Sequence, residues 1–227
     1  MTAQKKLELN SELHRRKILR TAANLFLGQG YTATTLRELA KESGVNIGSL
    51  MHLFESKENI LCALVSVVLD GQFSAVQKLL GHMTDDKILF WAAETTLQLY
   101  MAESSEQLRD LYLTAYSLPK SSAIIRHSIA EKMSEYFLPY HPGYQVKDFY
   151  EMEIATGGII RGFMSVPCDM YFTMEAKVTR YLETSFRVYK VPQEKTQEAI
   201  QFVSRFDFAQ IAQNVVDSLL SMLAEES

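Results

Sequence analysis

The chain has 227 residues, 47% hydrophobic and 22% charged, with a formal net charge of −4, which fits a soluble globular protein with a sizeable core and argues against a disordered chain. Two cysteines, Cys62 and Cys168, lie far apart without a C-x-x-C pattern, so reduced packing thiols are expected rather than a zinc or redox centre. The first fifteen residues are polar, unlike a secretory leader, and the longest apolar run, Ile60 to Leu69 with a serine inside, is about half a membrane span; the expectation is a cytoplasmic protein with no membrane segment.

Charge is unevenly placed. Residues 1–60 hold 9 Lys/Arg against 6 Asp/Glu, whereas residues 61–227 hold 14 against 21. An acidic protein still binds a polyanion if its positive charge sits on the contacting face. The same imbalance is equally consistent with an ordinary solvated surface.

Residues 1–9 read as a polar, frayed start. A first helix is expected from Ser11 to Leu27, with Ile18, Ala22, Leu25 and Phe26 striping one face and Gly28 and Gly30 ending it. Thr35 to Glu38 is T-x-x-E, a capping box. Leu36, Leu39 and Ala40 follow at helical spacing, and Ser43-Gly44 stops the second helix. Asn46 is placed to cap a third, Ile47 to Leu53. A fourth helix runs from Ser56 to Leu80 with Leu61, Leu64, Val65, Val68, Leu69, Phe73 and Val76 on one side; at about 37 Å it outlasts a small domain and joins it to the remainder of the chain. Two short helices around a glycine turn make a helix-turn-helix outline, whose second helix could enter a DNA major groove; a plain helical corner has the same outline.

The order Ile18, Ala22, Leu25-Phe26, Gly28, Gly30-Tyr31, the threonine pair, Leu39-Ala40, Gly44-Val45, Gly48, Phe54 and Ser56-Lys57-Glu58 resembles the amino-terminal domain of the tetracycline-repressor (TetR/AcrR) family of bacterial transcription regulators, from about Arg16 to Leu64. One departure stands out: where the family usually has Tyr in its L-Y-x-x-F segment, this chain has Met51 after Leu50. The resemblance implies an all-α protein, with a helix-turn-helix domain over residues 1–57 and an all-helical ligand-binding and dimerisation domain over 58–227. It also implies double-stranded DNA as partner and a homodimer. Ile47 to Leu53 would enter the groove. Thr34, Thr35 and Lys57 would hold phosphates, Arg37 and Asn46 would add phosphate or base contacts, and Ser49 and His52 would read base edges, while Gly48 permits close approach.

Beyond Leu80 the spacing predicts helices over 86–103, 105–118, 121–138, 145–165, 173–190, 193–204 and 207–224, with no strand. Ser104-x-x-Gln107 reads as a capping box, Pro119 as the end of a helix and Pro139 to Gly143 as a turn. Trp91, Tyr100, Tyr112, Tyr116, Phe149, Met152 and Phe163 crowd the middle helices. As a set they suit the lining of a cavity for a small apolar or aromatic effector; singly, each reads first as a core residue. Glu94, Gln98, Glu153 and Arg161 lie among them and are candidates to orient a ligand.

Gly157, Gly158 and Gly162 fall inside one predicted helix, each costing ~1 kcal/mol relative to Ala. Close packing of a neighbour or a second subunit explains them; a break at Gly157-Gly158 is the alternative. Phe208, Ala212, Val215, Leu219 and Met222 follow a 4-3-4-3 spacing, a seam for another helix. The family resemblance implies a dimer interface of two carboxy-terminal helices per subunit; the 145–165 and 207–224 helices are the candidates, with 173–190 as the alternative, and Gly158, Gly162, Phe208, Val215, Leu219 and Met222 are the candidate residues. The motifs H-E-x-x-H and G-x-S-x-G, a phosphate loop and a dinucleotide glycine pattern are all missing, so neither catalysis nor a cofactor is expected. His127, Glu131 and Glu135 share a helical face but read as solvated. The expectation is an effector-responsive repressor. A helical interaction module with a vestigial DNA domain, prompted by Met51 and Leu53, and an all-helical enzyme acting on an apolar substrate stand as alternatives.

Overall fold

The computed structural model of the chain describes residues 3–224, and every regular element in them is a helix. α1 spans Ala3–Gln29, α2 Leu36–Ser43, α3 Ile47–Phe54 and α4 Lys57–Leu80. α5 (Lys87–Glu103), α6 (Glu106–Ser117), α7 (Pro119–Phe137), α8 (Val146–Ser165), α9 (Met174–Val188), α10 (Gln193–Val203) and α11 (Phe208–Ala224) complete the body. A single 3-10 turn, Leu138–Tyr140, follows α7.

The helix starts are set by side-chain caps. Asn46, Ser56, Asp86, Ser105 and Thr173 each accept a backbone N–H of the turn they open, satisfying donors that helix geometry leaves without partners. Three expectations need correction. α1 begins at Ala3, so residues 3–9 are helical rather than frayed; only residues 1–2 of that stretch lie outside the described residues. Ser105, not Ser104, caps α6, through Leu108 N at 3.1 Å. Pro119 follows the extended Leu118 that ends α6, but α7 starts at Pro119 itself and not at residue 121, with the proline at the first helical position, where its missing N–H costs nothing.

α4 is the central strut. At 24 residues it is long and apolar enough to cross a bilayer by length and composition, yet Ile60, Leu61, Leu64, Val65, Leu69, Val76 and Leu80 are buried against neighbouring helices. It packs on α1 and α3 and on α5, α7 and α11. α5 is the most enclosed element, buried from Ile88 to Leu99 without a break. The predicted seam on α11 is real but satisfied within the chain: Phe208, Ala212 and Val215 are buried against α5, α4 and α1. These residues are core, which corrects their assignment to a subunit interface.

Candidate nucleic-acid interface and junction cavity

Local chemistry builds the reading head. The Thr35 hydroxyl accepts from Glu38 N at 3.2 Å, and the Glu38 carboxylate accepts in return from Thr35 N at 3.4 Å, a complete capping box. Gln29, at the end of α1, donates to the same carboxylate at 2.9 Å and so ties α1 to α2. Gly44 ends α2 with φ +66°, a left-handed conformation that costs a residue with a Cβ more than glycine. Asn46 Oδ1 accepts from Ser49 N at 2.8 Å and starts α3. Leu50 and Phe54 then bury one face of α3 in a core with Ile18, Ala22, Leu39 and Ile60, and Arg15 lies over the Phe54 ring at 4.7 Å.

The opposite face of α3 is free. Ile47 is 44% exposed and Met51 40%, with Gly48 and His52 exposed beside them and Ser49 half-buried. Arg37 and Thr35 are exposed on and just before α2. Met51 belongs to this face, one turn beyond Ile47, and helical spacing alone places it there; it joins the candidate contact residues.

Two residues expected on phosphates are otherwise engaged. Thr34 is buried, and its hydroxyl donates to Gly30 O at 2.9 Å, so it shapes the α1–α2 turn. Lys57 Nζ donates to Tyr31 O and Thr34 O, both at 2.7 Å, and sits 4.2 Å from the Tyr31 ring centre. Partial burial pulls its pKa down from the ordinary lysine value. Lys57 is thus a clasp between α4 and the α1–α2 turn, with one of its three N–H donors left over. Asn46 likewise spends its carbonyl on the cap and keeps its amide hydrogens.

A second clasp joins the head to the body. Glu58 accepts from Lys120 N at 2.6 Å, and Asn59 accepts from Lys120 Nζ at 2.8 Å. The first turn of α7 is therefore bonded to the first turn of α4.

A partly open cavity of about 90 Å³ lies at the junction, where α5 and α6 of the body meet α1, α4 and α11. Ala23 and Leu27 of α1, Leu64 and Val68 of α4, Tyr112 and Tyr116 of α6, and Leu219 and Leu220 of α11 face it. Of the expected lining, only Tyr112 and Tyr116 are there. Trp91 is buried in edge contacts with Phe137 and Tyr189, centroids 5.2 and 5.6 Å away. Tyr100 stacks on Phe208 at 5.9 Å. Phe149 packs against His141 and Tyr144, and Phe163 against Phe172 and Tyr181. Trp91 and Phe149 are buried core aromatics, Tyr100 and Phe163 are half-buried against the core, and Met152 is half-buried away from the cavity. Gln98, a weaker candidate from the sequence, does line it and donates to Tyr116 Oη at 3.0 Å.

The glycines of α8 divide. The helix runs unbroken through all three. A Cβ on Gly157 would lie 2.8 Å from Glu153 Oε1, whereas Gly158 and Gly162 face open space and are exposed, with Ile154 beside them 61% exposed. Met222 is also exposed, while Leu219 lies over Gly71 of the same chain. No group of three or more His, Cys, Asp or Glu side chains suited to a metal occurs among the described residues. His127 Nδ1 instead pairs with Ala123 O at 2.8 Å.

Residues 18–64 match the sequence profile of bacterial regulatory proteins of the tetR family. The HTH-type transcriptional repressor KstR2 of Rhodococcus jostii (strain RHA1) is 34% identical over 82 residues, 36% of this chain and 40% of that protein. The chain thus matches about two fifths of that relative's length. The probable HTH-type transcriptional regulator YttP of Bacillus subtilis (strain 168) is 25% identical over 161 residues, 71% of this chain and 72% of the relative. The TetR family protein CprB from S. coelicolor A3(2) shares the fold, with a TM-score of 0.50 at 17% identity, covering 88% of this chain and 98% of that one. Residues 18–64, the amino-terminal helix-turn-helix, are thus similar to the tetR family of bacterial regulatory proteins.

Proposed function

We propose that the chain is a cytoplasmic, DNA-binding transcriptional repressor that acts as a homodimer and responds to a small apolar effector. The observation that carries this reading is the free face of α3. Ile47, Gly48, Met51 and His52 project from a helix whose other face is fixed in the head's own core. A rigid helix with one exposed face is what groove insertion needs. Arg37, Thr35, the Asn46 amide and the spare Lys57 donor surround it and supply phosphate contacts. The relatives named as repressors support the sign of regulation.

The subunit partner is a second copy placed against α8. Gly158 and Gly162 have no neighbour within the chain that requires a missing side chain, and Ile154 beside them is an exposed apolar residue. The close approach of a partner helix accounts for both. The cavity between α1, α4 and α11 is the effector site, because its walls include the helices that carry the head. Labour divides accordingly, with residues 1–57 reading DNA and 58–227 sensing and dimerising.

The test is selection of bound fragments from the source genome with the purified full chain, followed by anisotropy titration across a salt series. The expected sites carry two inverted half-sites about 34–36 Å apart, or a multiple, with affinity falling steeply as salt rises. Lack of duplex binding at low salt would overturn the proposal.

A further inference from the structure

α3 reads Ile-Gly-Ser-Leu-Met-His-Leu-Phe and carries no Arg, Lys, Asn or Gln. Those are the side chains that ordinarily read guanine and adenine in the major groove. Asn46, just before α3, does not replace them. Reading adenine takes both ends of the amide, and Asn46 Oδ1 is occupied by Ser49 N at 2.8 Å. Arg37 stands on α2, the helix that crosses the DNA backbone in this motif. Ser49 is half-buried, and His52 is exposed but one turn farther on. Base edges meet the amino-terminal residues of a recognition helix. At that end the outward side chain is Ile47, 44% exposed.

Isoleucine suits one feature of the groove. The 5-methyl of thymine is the apolar group that the groove displays. Against it, Ile47 takes carbon out of water on both sides of the contact. Against guanine O6 and N7, or cytosine N4, the same side chain would strip water from a polar atom and offer no bond in return. We propose that Ile47 reads a thymine methyl group in each half-site. The inference rests on the repressor reading above and names what its operator must contain.

The head holds Ile47 ready for this contact. Leu50 and Phe54 are buried in the head's core, and the Asn46 cap fixes the first turn of α3. The branch at Cβ holds an isoleucine near one rotamer in a helix, so the side chain meets the groove already placed. It is also short, so the helix backbone must come close to the base. Gly48 beside it permits that. A Cβ there would meet only Asn46 Oδ1, at an ordinary contact distance of 3.4 Å; nothing within the chain demands glycine at this position, whereas close approach to a base edge does. Because base edges meet the first residues of such a helix, thymine reading falls to Ile47, and Met51, one turn on, to the flank of the groove.

The experiment uses the full chain and the operator duplex recovered by fragment selection, resynthesised with deoxyuridine in place of one thymine at a time. Deoxyuridine pairs as thymine does and lacks only the methyl group. Anisotropy titration at fixed salt should find a thymine in each half-site whose replacement weakens binding about fourfold, the worth of one buried carbon. Ile47→Ala should weaken binding to the unmodified operator and erase the penalty at that position, while its melting temperature stays at the parent value because Ile47 is exposed. The erased penalty separates contact from duplex stiffness, since a penalty that arose in the DNA alone would persist in the variant. If the parent chain binds every deoxyuridine duplex as tightly as the unmodified one, or if the penalty is unchanged in Ile47→Ala, the inference is overturned and the repressor reading stands. Failure to bind any duplex would overturn both.

Discussion

Replacing Glu153 by Gln should flatten much of the protein's loss of stability between mildly acidic and mildly alkaline pH. Glu153 is 3% exposed on α8, and its Oε2 accepts from the Thr156 hydroxyl at 2.7 Å. Burial pushes its pKa up to about 7, against the smaller opposing effects of that hydrogen bond and of Arg126. Relative to an ordinary carboxyl at 4.5, this corresponds to roughly 3 kcal/mol at about 1.4 kcal/mol per pH unit. Proton counting gives the sign. Between the two values the folded protein keeps a proton that the unfolded chain has released, so stability falls as pH rises from about 4.5 to about 7 and is level above that. Glutamine is neutral throughout and nearly the same shape. For a chain of this size about 1 kcal/mol moves the melting temperature by about 2–4 °C, so Glu153→Gln should melt roughly 6 °C or more above the parent at about pH 8 and close to it at about pH 4.5. Glu94, also raised to about 7 by burial despite its ion pair with Lys132 at 2.6 Å, carries the same sign, so the variant reduces the slope without abolishing it. Calorimetric melting across that range is the assay. Parent and variant falling in parallel would show that Glu153 is not held protonated.

Three further outcomes are expected. Met51→Tyr adds a hydroxyl on the exposed face of α3, where Met51 is 40% exposed; it should tighten operator and non-operator DNA alike, by up to about tenfold per subunit, without lowering the melting temperature, and a lower melting point with no gain in affinity would refute it. Lys57→Met removes both bonds to the Tyr31 and Thr34 carbonyls and should cost about 1–3 kcal/mol, seen as faster amide exchange in α2 and α3 while α5 keeps its protection; unchanged exchange there would dismiss the clasp. Gly158→Leu fills open space, so the subunit should fold as well as before or gain up to about 1 kcal/mol of helix propensity, while sedimentation should show weakened self-association; an unaltered dimer would move the interface off α8.

Much of the fold can be read from the chain because the punctuation is chemical. Capping residues, glycines and prolines mark nearly every helix end, and the periodicity between them is unbroken. The errors share one cause: a local pattern specifies a need but not what meets it. Pro119 signals a boundary without saying on which side, and Ser104-Ser105 offers two caps where one is used. The apolar stripe of α11 demands a helix, and α4 and α5 of the same chain answer it before a second subunit can. Lys57 has the charge for phosphate, and the carbonyls of Tyr31 and Thr34, 26 and 23 residues earlier, give it a second task that no local pattern announces. Trp91 and Tyr112 look alike as buried aromatics; only packing separates the ring that fills the core from the ring that borders a void.

The two clasps and the shared wall also limit how this regulator can be recombined. Reading heads invite exchange as modules, with a splice near residue 57. Here such a splice would part Lys57 from the turn it holds, or replace Ala23 and Leu27, which close the cavity from the α1 side. A chimaera with a foreign first helix would therefore inherit a re-lined cavity along with its new reading head. Transplanting only the exposed surface of α3 into this chain, with α1, the α1–α2 turn and Lys57 kept, changes the proposed contact face and leaves the lining of the cavity as it is.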